Sequence, residues 1–303
     1  MSFNQLQSHF SFSQWLYDRF LQLIIYPSIW VAAAIASLGI YTQEILEFER
    51  NWQPIALIFV TALIPYNLDR IFDSYVQKIP DDKAQLFFRQ PYVWVLLLSA
   101  IATTIILISI APVQVRYACI AGIVPLLYGT PIFPWKHNSS PQPRWRWYRL
   151  KDIPGSKAWI VGSILTYAVI ALPIAYQKAE FSLVDFWLTL FMFVFIVTNS
   201  HIFDIRDIDS DRQKGVVTLP TIAGVRGTKI ILSVMNVLVM LITICLWING
   251  VVSYHPEMAI ALVANLIYIW TVDINTPRWI YNILIEAGLF VPILGNLALN
   301  IFA

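Results

Sequence analysis

Apolar runs long enough to cross a bilayer dominate this chain, and they decide what it can fold into. A helical span needs roughly 20 mostly apolar residues, because the backbone must satisfy its own hydrogen bonds inside lipid. Runs of that kind lie near Leu21 to Ile40, Pro54 to Asp69, Tyr92 to Ala111 and Val113 to Gly129. Others follow near Ala158 to Tyr176, Val184 to Phe203, Ile230 to Ile248, Ser253 to Trp270 and Trp279 to Ile301. The predicted fold is therefore all-α, an integral membrane bundle of about nine transmembrane helices. Composition agrees: 58% of the 303 residues are hydrophobic and 13% charged, against roughly 25% charged in soluble domains.

The second and fourth runs are short and interrupted by Pro65 and Pro125, which membranes tolerate where neighbours satisfy the freed backbone groups. Before Leu21, the residues Phe10, Phe12, Trp15 and Leu16 stand among polar neighbours and read as an interfacial amphipathic helix. The first 18 residues lack the pattern of a cleavable signal, so the first span is expected to act as its own insertion signal. Cys119 and Cys245 sit in separate apolar runs without metal-ligand spacing and read as small buried residues. A net charge of +2 gives no reason to expect nucleic acid as a partner.

The placing of Lys and Arg orients the bundle. Loop 2–3 carries Arg70, Lys78, Lys83 and Arg89; loop 4–5 carries Lys136, Arg144, Arg146, Arg149, Lys151 and Lys157; loop 6–7 carries Arg206, Arg212, Lys214, Arg226 and Lys229. The opposite side keeps Arg50, Arg116 and Lys178. The N-terminus is expected to be cytoplasmic and the C-terminus on the far side.

Acidic clusters close the second and sixth spans on that cytoplasmic side. Asp69 and Asp73 are four residues apart, as are Asp207 and Asp211, and Asp204 continues the second stripe. On a helix this spacing puts carboxylates on one face, where like charges repel. A divalent cation would offset that repulsion, and Mg²⁺ accepts a few carboxylates together with waters and phosphate oxygens. After the second cluster, Lys214, Arg206 and Arg212 can hold an anionic group, Gly215 permits a tight turn and Pro220 can begin a helix. Trp135, Trp145, Trp147 and Tyr148 suit the membrane–water interface, whereas Tyr128, Pro131 and Lys136 read as pocket residues. Glu286 lies inside the last apolar run, where an ionisable group points to function.

These motifs resemble the UbiA superfamily of intramembrane prenyltransferases. Asp69-Arg70-Ile71-Phe72-Asp73 is similar to the first aspartate-rich motif of that family. Arg206-Asp207-Ile208-Asp209-Ser210-Asp211-Arg212, with Gly215 and Thr218-Leu219-Pro220, resembles the second. Tyr128-Gly129-Thr130-Pro131 through Lys136 is similar to the tyrosine–lysine element after the fourth helix. One position departs: the Asn usual four residues before the first Asp is Pro65, with Asn67 two residues on.

The resemblance implies a single domain over residues 1–303 with a central cavity, capped by loops at about 70–91 and 204–228. It implies Mg²⁺-dependent transfer of a polyprenyl group from its diphosphate to an acceptor within the membrane, aromatic or another lipid precursor. Asp69, Asp73, Asp204, Asp207 and Asp211 would hold metal. Asn67, Arg70, Lys136, Arg206 and Lys214 would contact substrate, Tyr128 would lie beside the allylic carbon, and Glu286 would line the acceptor end. A terpene cyclase on the same scaffold and a non-catalytic binding or transport protein are the alternative readings.

Overall fold

The computed structural model describes residues 14–76, 82–121, 133–137, 144–148, 153 and 155–302. Among these the chain is a helical bundle. In order come α1 (Gln14–Ile25), α2 (Ile29–Ile45), α3 (Trp52–Val76), α4 (Asp82–Phe88), α5 (Pro91–Ile110) and α6 (Val113–Ala121). A two-stranded hairpin, β1 (Phe133–His137) and β2 (Arg144–Tyr148), precedes α7 (Lys157–Gln177), α8 (Leu183–Arg206) and the short α9 (Ile208–Lys214). Then follow α10 (Leu219–Ile248), α11 (Pro256–Thr271) and α12 (Ile280–Ile301).

Six of these helices are long and apolar enough to cross a membrane, and the bent pair α1–α2 makes a seventh. The expected span at Ser253 to Trp270 is α11, whose 16 residues rise about 24 Å, short of a hydrocarbon core about 30 Å thick. The expected span from Val113 is helical to Ala121, and its remainder lies outside the described residues.

α8 is the bundle's axis. Its most apolar window is 61% buried, against 22% for α5 and for α10, whose mean hydropathies of 2.5 and 2.6 are higher. The most apolar helices thus expose Val95, Leu98, Ile105, Val234, Leu238 and Ile248 outward, the arrangement of a protein whose solvent is lipid. Close packing rests partly on glycine: a Cβ on Gly162 of α7 would collide with Val197 of α8, and one on Gly39 of α2 would lie 2.6 Å from Ile58 Cδ1 of α3. A polar ladder crosses the apolar interior. Asn236 Nδ2 donates to Thr198 Oγ1 at 2.8 Å, Asn265 Nδ2 donates to Asn236 Oδ1 at 3.0 Å, and Tyr268 donates to Asn265 Oδ1. It ties α8, α10 and α11 by the hydrogen bonds that hold membrane helices together.

Three local features differ from expectation. The first span is broken by 58° between Ile25 and Ile29, with Ser28 at φ 60°; Pro27 is its sequence signal. Carbonyls freed at the bend are capped from α3, because Asn67 Nδ2 donates to Pro27 O at 2.9 Å and Arg70 Nη1 to Ile25 O at 3.2 Å. The segment expected as loop pairs antiparallel, Phe133 opposite Tyr148 and Lys136 opposite Trp145; its alternation of aromatic with basic residues suits a strand. Cys245 is exposed and Cys119 half-buried, so neither is the enclosed core residue expected.

Candidate functional site at the end of the central helix

Residues 204–220 form a helix end, a short helix and a turn. Helix α8 begins with a capping box, Ser182 and Asp185 satisfying each other's backbone N–H groups. It ends at Arg206, and Asp207 (φ −95°, ψ 8°) is the joint to α9. α9 stops at Gly215, whose φ of 68° is the left-handed conformation that closes a helix. Thr218 stands at the N-cap position of α10, its backbone N–H donating to Thr221 Oγ1 at 2.8 Å, and Pro220 occupies the first turn, as the sequence implied. Gly224 (φ 71°, ψ 167°) then kinks α10.

The acidic stripe splits at that joint. Asp204 and Asp211, 3% and 5% exposed, share a partner that the sequence reading did not select. Lys157 Nζ, on the first residue of α7, lies 3.3 Å from Asp204 Oδ1 and 3.7 Å from Asp211 Oδ1. Asp207 turns instead to Arg206, accepting from Nε at 2.9 Å and from Nη2 at 2.7 Å. Burial pushes the Asp207 pKa up, but the Arg206 hydrogen bonds and the charges of Arg206, Lys157 and Arg278 outweigh it and hold the carboxyl below its ordinary value. Arg206 is fixed in turn: its Nη1 donates to Asn282 Oδ1 at 3.1 Å and its guanidinium lies over the rings of Phe203 and Tyr281.

The repulsion for which the sequence invoked a divalent cation is therefore met by Lys157 and Arg206. Among the described residues no three His, Cys, Asp or Glu side chains gather as a metal-ligand set. The residues nonetheless fit Mg²⁺, which takes one or two carboxylates and completes its shell with water and phosphate oxygens. Among the described residues, Asp204 Oδ2 is buried without a hydrogen bond and faces His201 Nδ1 at 3.6 Å, and both ring nitrogens of the fully buried His201 also lack hydrogen bonds.

The first motif lies on α3, which runs unbroken through Pro65. Asp69 is exposed, with Asp73 one turn further along the helix. Asn67 is fully buried, and its amide nitrogen donates to the Pro27 and Leu63 carbonyls, so its donors serve the bend. Arg70 does the same for Ile25 and also reaches Glu286, Nη2 to Oε1 at 4.0 Å. Tyr128, and the side chains of Asp73, Lys136 and Lys214, lie outside the described part of the structure.

A cavity of about 310 Å³ lies at the other end of the bundle, lined by residues such as Glu47, Glu180, Asp185, Val252 and His255. The 24 residues of α8 put about 36 Å between that end and Arg206. It contains none of the predicted site residues.

Lys157 and His201 escaped the sequence reading for different reasons. Lys157 heads an apolar run far before Asp204 and Asp211 in sequence, where a cation is expected merely as a boundary marker. His201 had a legible signal, one turn before Asp204 inside a span.

Residues 53–278 match the protein family described as VviA prenyltransferase. Comparison with curated proteins finds no match. Solved structures resemble the fold. A UbiA homolog from Aeropyrum pernix superposes with a TM-score of 0.60 at 12% identity, over 91% of this chain and 98% of the other. A UbiA homolog from Archaeoglobus fulgidus bound to GPP and Mg²⁺ gives 0.60 at 12% identity, over 92% and 98%. A structure on the biosynthesis of digeranylgeranylglyceryl phosphate synthase in membranes gives 0.53 at 14% identity, over 93% and 96%. At such identities the likeness is one of fold.

Proposed function

We propose, from the premise that this chain belongs to the VviA prenyltransferase family, that it moves a prenyl group from a prenyl diphosphate to an acceptor at one face of the membrane. It is a multi-pass membrane protein and a prenyltransferase, and the UbiA-type fold expected from its motifs is the one found. The observation that carries the finer reading is the bracket of buried Asp204 and Asp211 around one cationic group, at the end of the central helix.

Asp204 and Asp211 are the second motif's Mg²⁺ ligands in this reading, joined by Asp69 and Asp73 of the first. When bound, the metal supplies positive charge to the leaving diphosphate. Solved homologs from Archaeoglobus fulgidus hold GPP or DMAPP with Mg²⁺, which supports the choice of donor and metal. Asp207 and Asn282 fix the Arg206 guanidinium, and Arg206 with Lys136 and Lys214 would hold diphosphate oxygens by charge-assisted hydrogen bonds. Breaking the allylic C–O bond shifts charge onto those oxygens, so donors fixed beforehand favour the transition state. Tyr128 stands beside the allylic carbon, where an aromatic face stabilises positive charge. The prenyl tail reaches the site through lipid, and the motifs face the cytoplasm.

The test is pyrophosphate release from farnesyl and geranylgeranyl diphosphate by the protein in bilayer discs, with Mg²⁺ and with EDTA. Metal-dependent release that falls about 100-fold or more in Asp211→Ala is the expected result. Release that persists in EDTA, or in the variant, overturns the reading.

A further inference from the structure

The start of α12 is irregular, and the irregularity is held from outside. Ile280–Ile285 is π-helical, a 3₁₀ turn follows over Gly288–Phe290, and the ordinary helix begins at Val291. Such departures leave carbonyls without their usual partners, and single π turns are frequent at functional sites. Here Trp30 Nε1 of α2 donates to Ile283 O at 3.0 Å, and Asn199 Nδ2 of α8 donates to Ile285 O at 2.9 Å.

Glu286 stands at the joint between the two geometries. It is 5% exposed, accepts no hydrogen bond among the described residues, and has one ion-pair contact, Arg70 at 4.0 Å. Arg70 is drawn aside by the Ile25 and Tyr26 carbonyls. A carboxylate offers about four acceptor positions, so this one is enclosed with its capacity unused. An acid in that condition is costly inside a membrane and is kept where function needs it. Asn282, which anchors Arg206, is four residues earlier on the same segment, so Glu286 lies about one helical turn deeper than the charged rim. When the rim holds a diphosphate, that depth is where the reacting end of the prenyl group would stand.

We infer that Glu286 is a catalytic base for the transfer, taking the proton from an acceptor hydroxyl as the prenyl group joins it; this rests on the prenyl-transfer reading above. The allylic C–O bond breaks and its electron pair leaves with the diphosphate. A lone pair of the acceptor oxygen forms the new bond to carbon, the O–H pair stays on oxygen, and the proton passes to the Glu286 carboxylate. The acceptor is then an apolar molecule that presents a neutral hydroxyl, with no anionic group beside it to repel Glu286.

The experiment compares the full chain with Glu286→Gln and Glu286→Asp in bilayer discs, using geranylgeranyl diphosphate, Mg²⁺ and total membrane lipid extract as the acceptor pool. Pyrophosphate and prenylated lipids are both measured. The expected result is release within about threefold of the unsubstituted chain, with prenylated lipid falling about 100-fold in Glu286→Gln and recovering in part in Glu286→Asp. Geranylgeraniol should make up the difference. An unchanged ratio of transfer to release in Glu286→Gln overturns the assignment. So does joint loss of release and transfer in both variants, which would put Glu286 in the donor site or the scaffold. An unsubstituted chain that yields only prenyl alcohol or cyclised hydrocarbon also overturns it, because no acceptor proton is then taken. Absence of release from the unsubstituted chain removes the prenyl-transfer reading itself, and pyrophosphate tells that failure from the others.

Discussion

Lys157 Nζ lies 3.3 Å from Asp204 Oδ1, joining the first residue of α7 to the last turn of the central helix. The same ammonium reaches Asp211 at 3.7 Å, so one cation serves two buried acids. Lys157 thus offsets the repulsion between the two carboxylates that, in the proposed reading, would hold Mg²⁺.

Lys157→Met removes the cation that Asp204 and Asp211 share. Removing one partner of a buried ion pair costs several kcal/mol. Lys157 is about one-third exposed, and solvent screening lowers the expected loss to roughly 1–3 kcal/mol. A thermal melt in EDTA should show the loss, and millimolar Mg²⁺ should restore much of it. A variant as stable in EDTA as the unsubstituted chain would show that the bracket carries no strain.

Asp207 gives a pH-dependent contribution with a definite sign. Its pKa is lower in the folded chain, so its pairing with Arg206 stabilises above the unfolded value of about 3.9 and is lost as pH falls through the lower folded value. The stability difference between the unsubstituted chain and Asp207→Asn should be flat from about pH 5 to 8 and shrink below about pH 4. Melting temperatures over that range check it, and a difference that grows on acidification would contradict the pairing.

Gly162→Leu drives a branched side chain into Val197. Overpacking of this kind costs about 1–3 kcal/mol, and here it separates α7 from α8, the two helices that carry Lys157 and Asp204. Loss of stability should thus come with loss of pyrophosphate release, while Gly250→Leu, at a left-handed turn with open space around it, should lower stability alone.

Asn236→Ala breaks the ladder in the bundle interior, leaving the amide of Asn265 without its Asn236 acceptor and Thr198 without a donor. Interhelical hydrogen bonds in membranes average about 0.6 kcal/mol, so a modest loss in a chemical-unfolding series is expected. A loss as large as that of a soluble buried network would mean that the ladder acts as a unit.

The helices and the second motif were legible because their signals are local. Apolar runs marked the spans, Gly215 marked a turn, which is the left-handed end of α9, and Pro220 marked the start of α10. Asp204, Asp207 and Asp211 stand at the end of the sixth span as read, but not as one helical stripe, and their division between Lys157 and Arg206 was not legible. It depends on the joint at Asp207 and on a lysine from another helix. The π turn before Glu286 was equally hidden, because Trp30 and Asn199 hold it from distant positions. The hairpin at Phe133–Tyr148 carried alternation that was read as interface decoration rather than as a period of two.

Gly155 N donates to Val217 O at 2.7 Å, and two residues later Lys157 grips Asp204 and Asp211. The entry to α7 thus touches the second motif before Gly215 and after it, across a gap of a single residue, Ser156. That gap works as a ruler. One residue inserted beside Ser156 would release either the backbone bond or the ion pairs, so natural length variation in this loop should fall before Gly155 and leave the interval to Lys157 constant.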